Sequence, residues 1–237
     1  MTTKLIEHLE VAENTMAFRF AKPDGWGFQP GQSLDMTLTD PPETDAEGNT
    51  RAFSIASAPH EPTLLVATRM RDTAFKRVLK RAPAGSEVQI DGPFGSFTLH
   101  NNAARPAVIL AGGIGITPFR SIVLNAAQQK LPHRIFLFYS NRRPEDAAFL
   151  EELQALQNKN PHYKLIATMT QPQNSHRSWQ GEAGVIDREM LKRHIPDRNG
   201  AIYYVAGPPS MVNGLRGMLV GSGVDTDDIR SEEFAGY

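Results

Sequence analysis

Cysteine is absent from all 237 residues. That removes disulfides, thiolate nucleophiles and cysteine-ligated iron–sulfur clusters together. No apolar run approaches the roughly 20 residues that a membrane helix needs, so no spanning segment is expected. The stretch Met1 to Glu10 has no hydrophobic block behind a basic start. It does not read as a secretory signal, and a cytoplasmic protein is the expectation. Net charge is nearly missing as well: 25 basic against 26 acidic residues leave −1 at pH 7. Such a balance gives no long-range field to gather nucleic acid or an anionic membrane, so any phosphate binding must be local. The 7 histidines are scattered without HExxH spacing, and no metal site is expected. Internal repeats and low-complexity tracts are also lacking.

What is present is a composition of 40% hydrophobic and 22% charged residues, ordinary for a globular protein, at a length that suits two domains. Up to about Gly95 the chain runs in short alternating or β-branched segments cut by Gly, Pro and Asp: Met16 to Phe20, Ser33 to Leu38, Ala52 to Ala56, Leu64 to Thr68 and Val88 to Ile90. This punctuation predicts an all-β antiparallel barrel over residues 1–102. Within it, Thr73 to Lys80 spaces Phe75, Val78 and Leu79 as one short helix would. The turn-rich segment Asp40 to Thr50 is expected to be a mobile loop.

Beyond the polar joint His100 to Arg105 the rhythm changes. Buried-strand patterns at Val108 to Ala111, Arg134 to Tyr139, Lys164 to Met169 and Ile202 to Ala206 alternate with helical ones at Pro118 to Gln129, Glu145 to Gln157, Asp187 to His194 and Ser210 to Val220. Alternation of this kind predicts an α/β doubly wound parallel sheet, taken as five-stranded, over residues 103–237. Glu151 and Glu152 are adjacent on one of these helices, point different ways, and read as solvated charge.

Two strings carry chemistry on their own terms. Leu110 to Pro118 (LAGGIGITP) is a strand, a turn with Gly112, Gly113 and Gly115, and a helix opened by Thr117 and Pro118. Glycines let backbone approach an anion, and a helix N-terminus offers N–H donors to a pyrophosphate. Arg51-Ala52-Phe53-Ser54 begins a strand in the other half. Its Arg can clamp a phosphate, its aromatic can cover a flat ring and its hydroxyl can bond a ring nitrogen.

The order of the motifs is more informative than either string. Pro30-Gly31-Gln32, Arg51 to Ser54, Asp91 to Gly95, the glycine turn, Phe138 to Arg142, Ala206 to Met211 and the tail Glu232-Glu233-Phe234 together resemble the ferredoxin–NADP reductase superfamily over nearly the whole chain. The resemblance implies FAD (or FMN) in the N-terminal barrel and NAD(P)H in the C-terminal sheet. It also implies a separate electron acceptor, such as a small redox protein or an oxygenase component, and a monomeric reductase module without an iron–sulfur domain. By the same resemblance Arg51 would bind a flavin phosphate, Phe53 would stack on the isoalloxazine and Ser54 would bond its reactive nitrogen. Ala52, Thr68, Met70 and Phe75 would complete the flavin set. Thr117, Gly207, Pro208 and Met211 would line the nicotinamide pocket, with Glu232 as an acid beside the transfer site and Phe234 on the flavin ring.

Three departures from the family pattern matter. Arg71 to Lys76 (RDTAFK) replaces a glycine-backed phosphate loop, leaving Thr73, Ala74 and Lys76 to take the pyrophosphate. Ala206 stands where relatives carry Cys. Three residues follow Phe234, and Tyr237 is expected to lean on the adenine end of FAD. The turn Ser140-Asn141-Arg142-Arg143 carries no acid. NADPH is therefore expected over NADH, although Arg142 also resembles a residue of NAD-using relatives. Two other readings stay open at this level: a reductase of free flavin or another small acceptor, and a non-catalytic flavin-binding module. Arg51→Ala should weaken flavin binding, because a charge-assisted contact contributes about 1.5–3 kcal/mol, or roughly ten- to a hundred-fold. Fluorescence titration reads this directly, and unchanged affinity removes the phosphate role.

Overall fold

In the computed structural model the residues described are 1–195, 197–198 and 200–234. The first half builds six strands and one helix: β1 (Thr2–Ala12), β2 (Thr15–Ala21), β3 (Ser33–Leu38), β4 (Thr50–Ser54), β5 (Thr63–Arg69), α1 (Ala74–Arg81) and β6 (Glu87–Phe94). They form one antiparallel sheet in the order β4-β3-β6-β1-β2-β5. Alternation sets its inner face, since β3 buries Leu34, Met36 and Leu38 and turns the residues between them outward. The ladder itself does not close. Just past β4, however, the Ala56 N–H donates to Leu65 O of β5 at 2.8 Å, which curls the sheet into a barrel-like body. Helix α1 stoppers it by burying Phe75 and Leu79, and the Thr73 side chain accepts from the Lys76 N–H at its start. Strand β1 escaped the sequence reading because only Thr3 and Leu5 are buried along its charged length.

The second half is β7 (Ala107–Gly112), α2 (Thr117–Gln128), β8 (Ile135–Asn141), α3 (Leu150–Leu156), β9 (Tyr163–Met169), β10 (Glu182–Ala183), α4 (Arg188–His194), β11 (Ile202–Gly207), α5 (Pro209–Val220) and β12 (Ile229–Glu233). The sheet is parallel, in the order β10-β9-β8-β7-β11-β12. It has six strands where five were expected. The two-residue β10 is too short to show a pattern, and β12 (IRSEE) is a polar edge strand with only Ile229 buried. One face packs Ile109 and Leu137 under Phe119 and Ile122 of α2; the other packs Val108, Leu110 and Phe138 against α4 and α5. The helix expected over Glu145 to Gln157 is split. Pro144–Asp146 forms a tight turn capped by Arg143 and Asp146, Phe149 adopts φ +60°, and α3 starts only at Leu150. Among the described residues no helix is long and apolar enough to cross a membrane.

Arg120 of α2 joins the two halves. Its side chain is 4% exposed. It donates to Glu61 from both terminal nitrogens (2.9 and 3.0 Å), to Ala56 O (2.7 Å), and to Glu152 of α3 through Nε and Nη2 (2.7 Å each). Next to it the Ser121 hydroxyl donates to Ser57 O at 2.7 Å. Glu152 is exposed, as Glu151 is, but it is also a bidentate partner of a buried cation, a role the expectation of merely solvated charge did not include. Burial pushes the Arg120 pKa down and the Glu61 pKa up, and their mutual bonds reverse both shifts, leaving the Arg raised and the Glu lowered.

Removing one partner of a buried pair costs about 3–5 kcal/mol. Because both carboxylates retain partial solvent contact, Arg120→Ala should lie near the low end, about 3 kcal/mol, in urea unfolding. Glu61 has its folded pKa below its unfolded value, so its contribution is complete above the usual carboxylate range and fades as pH falls through the depressed value. The acid limb of stability should accordingly flatten in Arg120→Ala, and a parent-like limb would contradict the pairing.

Candidate functional site at the junction of the two sheets

Strand β4 pairs with β3 so that Arg51 lies opposite Met36 and Phe53 opposite Leu34. Arg51 and Phe53 share a face by the two-residue period of a strand. They open onto a cavity of about 160 Å³ between the two bodies. Its wall includes Arg51, Ala52, Phe53, Ser54, Thr68, Thr73 and Lys76 from the first body and Ile114, Thr117 and Phe234 from the second. The Phe53 ring is turned mostly into the barrel core, 5.9 Å from Phe75 and 7% exposed, so it forms wall more than platform. The Ser54 hydroxyl has no hydrogen-bond partner among the described residues. Thr117 is buried, with its hydroxyl donating to Ile114 O at 3.0 Å. Phe234 closes the far side and is held by its backbone N–H on Gly207 O at 2.9 Å.

The charge on this wall is one-sided. Arg51, Arg69, Arg71 and Lys76 line it against the single acid Glu47. Lys76 donates to Arg69 O at 2.7 Å, and its pKa falls to about 8 because it is buried and because Arg71 and Arg51 stand near. Clustered cations held against that penalty mark a place for an anion.

On the parallel-sheet side, the glycine turn after β7 faces the turn between β11 and α5. A side chain at Gly112 would run into Met211 Sδ, and one at Gly115 into Ala206 O. Gly115 is therefore required for one turn to pack on the other, because its neighbour is backbone, while at Gly112 the Met211 side chain would have to move, a reason the sequence reading did not give. Glu232 lies on β12 opposite Ala206 and belongs to a second, larger cleft of about 1230 Å³, with Arg230, Asn125, His133 and Phe97. Burial raises its pKa to about 7.

The sequence-predicted set is therefore divided. Arg51, Ala52, Phe53, Ser54, Thr68, Thr73, Lys76, Thr117 and Phe234 converge on one cavity. Ala74 and Phe75 sit just behind it, and Met70 packs on the barrel core. Gly112, Gly113, Gly115, Pro118, Gly207, Pro208 and Met211 form the facing pair of turns, outside the cavity wall. Ser140 and Asn141 end β8. Arg142 is exposed with no ion pair among the described residues, whereas Arg143 is bound by Glu13 and Asp146. Tyr237 lies outside the described residues. Missed altogether were Arg69 and Arg71, whose i, i+2 spacing at the end of a strand was the available signal, and Asp45 and Glu47. The loop that carries those acids, expected to be mobile, is pinned through Arg51, Ala74 and Arg77.

A family model for the oxidoreductase NAD-binding domain matches residues 109–217. The glycine betaine monooxygenase reductase subunit of Chromohalobacter salexigens is 26% identical over 93% of this chain, which spans 60% of that protein. The curated relatives it matches are covered over about half to three quarters of their length. Among solved structures, the flavohem-like FAD/NAD binding domain of nitric oxide dioxygenase from Vibrio cholerae superposes with TM-score 0.84 at 20% identity, covering 98% of each chain. A ferredoxin NADP+ reductase from Neisseria gonorrhoeae with bound FAD and NADP does so at 0.81 and 20%, again covering 98% of each.

A carboxyl whose pKa is raised on folding stabilises fully below its unfolded value, and that stabilisation is lost as pH rises through about 7. Unfolding free energy should therefore decline across that window in the parent and hold level in Glu232→Gln. Equal slopes in the two proteins would mean that Glu232 titrates normally.

Proposed function

We propose that the chain is a flavoprotein reductase of the ferredoxin–NADP reductase superfamily, a reading supported by the oxidoreductase NAD-binding domain model that matches residues 109–217 and by the shared fold. It takes hydride from a reduced nicotinamide onto FAD and passes the electrons to a separate acceptor. The observation that carries this reading is the cationic cavity between the sheets, where Arg51, Arg69, Arg71 and Lys76 stand beside Ser54, Thr117 and Phe234. A flavin phosphate fits the chemistry of those donors. The cavity, at about 160 Å³, is smaller than the roughly 300–1,000 Å³ usual for cofactor sites. Phe234 and the 40–50 loop must therefore give way as the flavin enters. We place the boundary between the flavin and nicotinamide domains after Asn102.

The flavin supplies the hydride-accepting chemistry when bound; the chain supplies position, dryness and protons. Arg51 and Lys76 would hold the anionic end. Ser54 would offer its uncommitted hydroxyl to the flavin, and Thr117 and Phe234 would help to exclude water from the site. Glu232 keeps a proton to about pH 7 and can release or recover it along the larger cleft. For the acceptor, the likeness to a monooxygenase reductase subunit supports an oxygenase component. The open cleft of about 1230 Å³ beside Glu232 favours a second reading, a small diffusible acceptor such as free flavin. Steady-state oxidation of NADH and NADPH with a panel of both acceptor types separates them, and no turnover with any acceptor would refute the enzyme.

Of the two arginines available to a 2′-phosphate, Arg143 is committed to Glu13 and Asp146, so the contact falls to Arg142. Arg142→Ala should lower kcat/KM for NADPH by roughly tenfold or more, as for one lost charge-assisted bond, and leave NADH near its parent value. Equal losses with both cofactors would rule out the 2′-phosphate contact.

A further inference from the structure

We propose that the acidic loop of residues 40–50 is an internal phosphate mimic: Asp45 and Glu47 occupy the donors of the flavin phosphate site and are displaced when a phosphorylated flavin binds. The inference rests on the flavin-site reading above and adds a competing occupant from the chain itself.

The contacts are specific. The Arg51 guanidinium donates through Nη1 to Glu47 O (2.9 Å), Gly48 O (3.0 Å) and Thr50 O (2.8 Å), and through Nη2 to the Glu47 carboxylate (3.0 Å). Asp45 Oδ1 stands 3.6 Å from the same nitrogen, while Asp45 Oδ2 accepts the first N–H of α1, from Ala74, at 2.7 Å. An arginine fork plus a helix N-terminal N–H is a donor pair suited to a phosphate, and here two carboxylates hold the Nη2 arm and the helix N–H while backbone carbonyls of the same loop and its stem hold Nη1. A carboxylate and a phosphate oxygen make the same charge-assisted bonds, so one anion must leave before the other can settle.

The loop is also built to leave without unravelling its stem. Glu43 pairs with Arg77 at 2.7 Å on the outer side of α1, and β4 begins at Thr50. Only the segment between these anchors reaches into the site. Its far end bends at Gly48, with φ +73°, a conformation glycine adopts without strain. Arg71 and Arg69 line the cavity but form no ion pair among the described residues. The site therefore keeps positive charge that the loop does not cancel, which favours exchange for a more highly charged guest. The closed loop reduces apparent affinity by the fraction of time the donors are covered.

Asp45→Asn and Glu47→Gln remove the mimic's charge while preserving shape. The amide introduced by Asp45→Asn still carries a carbonyl oxygen that can accept from the start of α1, so neither change should disturb folding. Flavin fluorescence titrations with FAD, FMN and riboflavin are paired with hydrogen exchange of residues 41–49. If the loop covers the donors about nine-tenths of the time, each variant should bind FAD and FMN about tenfold more tightly. Riboflavin, which lacks phosphate, should bind parent and variants alike, and exchange at 41–49 should quicken in the parent when FAD is added. Unchanged or weaker FAD and FMN binding in both variants overturns the proposal, as does slower exchange with FAD, which would make the loop a lid. If no flavin binds the parent or the variants, the reductase reading fails on its own. Inorganic pyrophosphate then decides the loop: faster exchange at 41–49 supports displacement, and no change refutes it.

Discussion

Inside the joint between the two bodies, one guanidinium ties Glu61 and Ala56 of the β4–β5 connection to Glu152 of α3. Buried in this way, Arg120 would be a costly unpaired charge without its acids, and the acids lose their reason to sit at the joint without Arg120. The arrangement fixes where α2 stands, and α2 begins at Thr117, one of the residues on the cavity wall. Phe149, whose ring centroid lies 5.1 Å from the guanidinium carbon, adopts φ +60°, and α3 starts only after it. The cavity between Arg51 and Phe234 therefore depends on an ion cluster that does not touch it.

The same electrostatics operate inside the cavity with the opposite sign of balance. At the joint, two carboxylates answer one cation; on the cavity wall, four cations meet one acid. Lys76 bears the consequence in its lowered pKa, and the 40–50 loop bears it by turning its acids inward. Glu232, in the neighbouring cleft, is shifted by burial alone. A proton-holding carboxyl and an anion-seeking cavity are thus joined by the short run from Glu232 to Phe234.

Much of this was legible in the chain. Strand β3 lies where alternation placed it, α1 follows the spacing of Phe75, Val78 and Leu79, and Arg51 to Ser54 does meet Thr117 and Phe234. What could not be read has physical causes. Strands β1 and β12 are edge or half-exposed segments whose charges hide their pairing. Whether an acid is free or paired is set by a partner distant in sequence, as Glu152 is paired with Arg120 across 32 residues. Polarity of the Asp40 to Thr50 segment suggested mobility, because its cationic partners Arg51, Arg77 and the α1 N-terminus are visible only once folded. The glycines of the turn after β7 were assigned to an approaching anion, and the structure adds a nearer neighbour, the β11–α5 turn.

The central claim is the proposed one, that a flavin held at the cavity wall takes hydride directly from a reduced nicotinamide. Its most direct test is anaerobic rapid mixing of FAD-loaded protein with reduced nicotinamide, carrying either hydrogen or deuterium at the transferred position. The account predicts that flavin absorbance bleaches in a single turnover, at a rate that saturates with nicotinamide concentration and slows on deuteration. A flavin that is bound yet stays oxidised under excess reduced nicotinamide would contradict it.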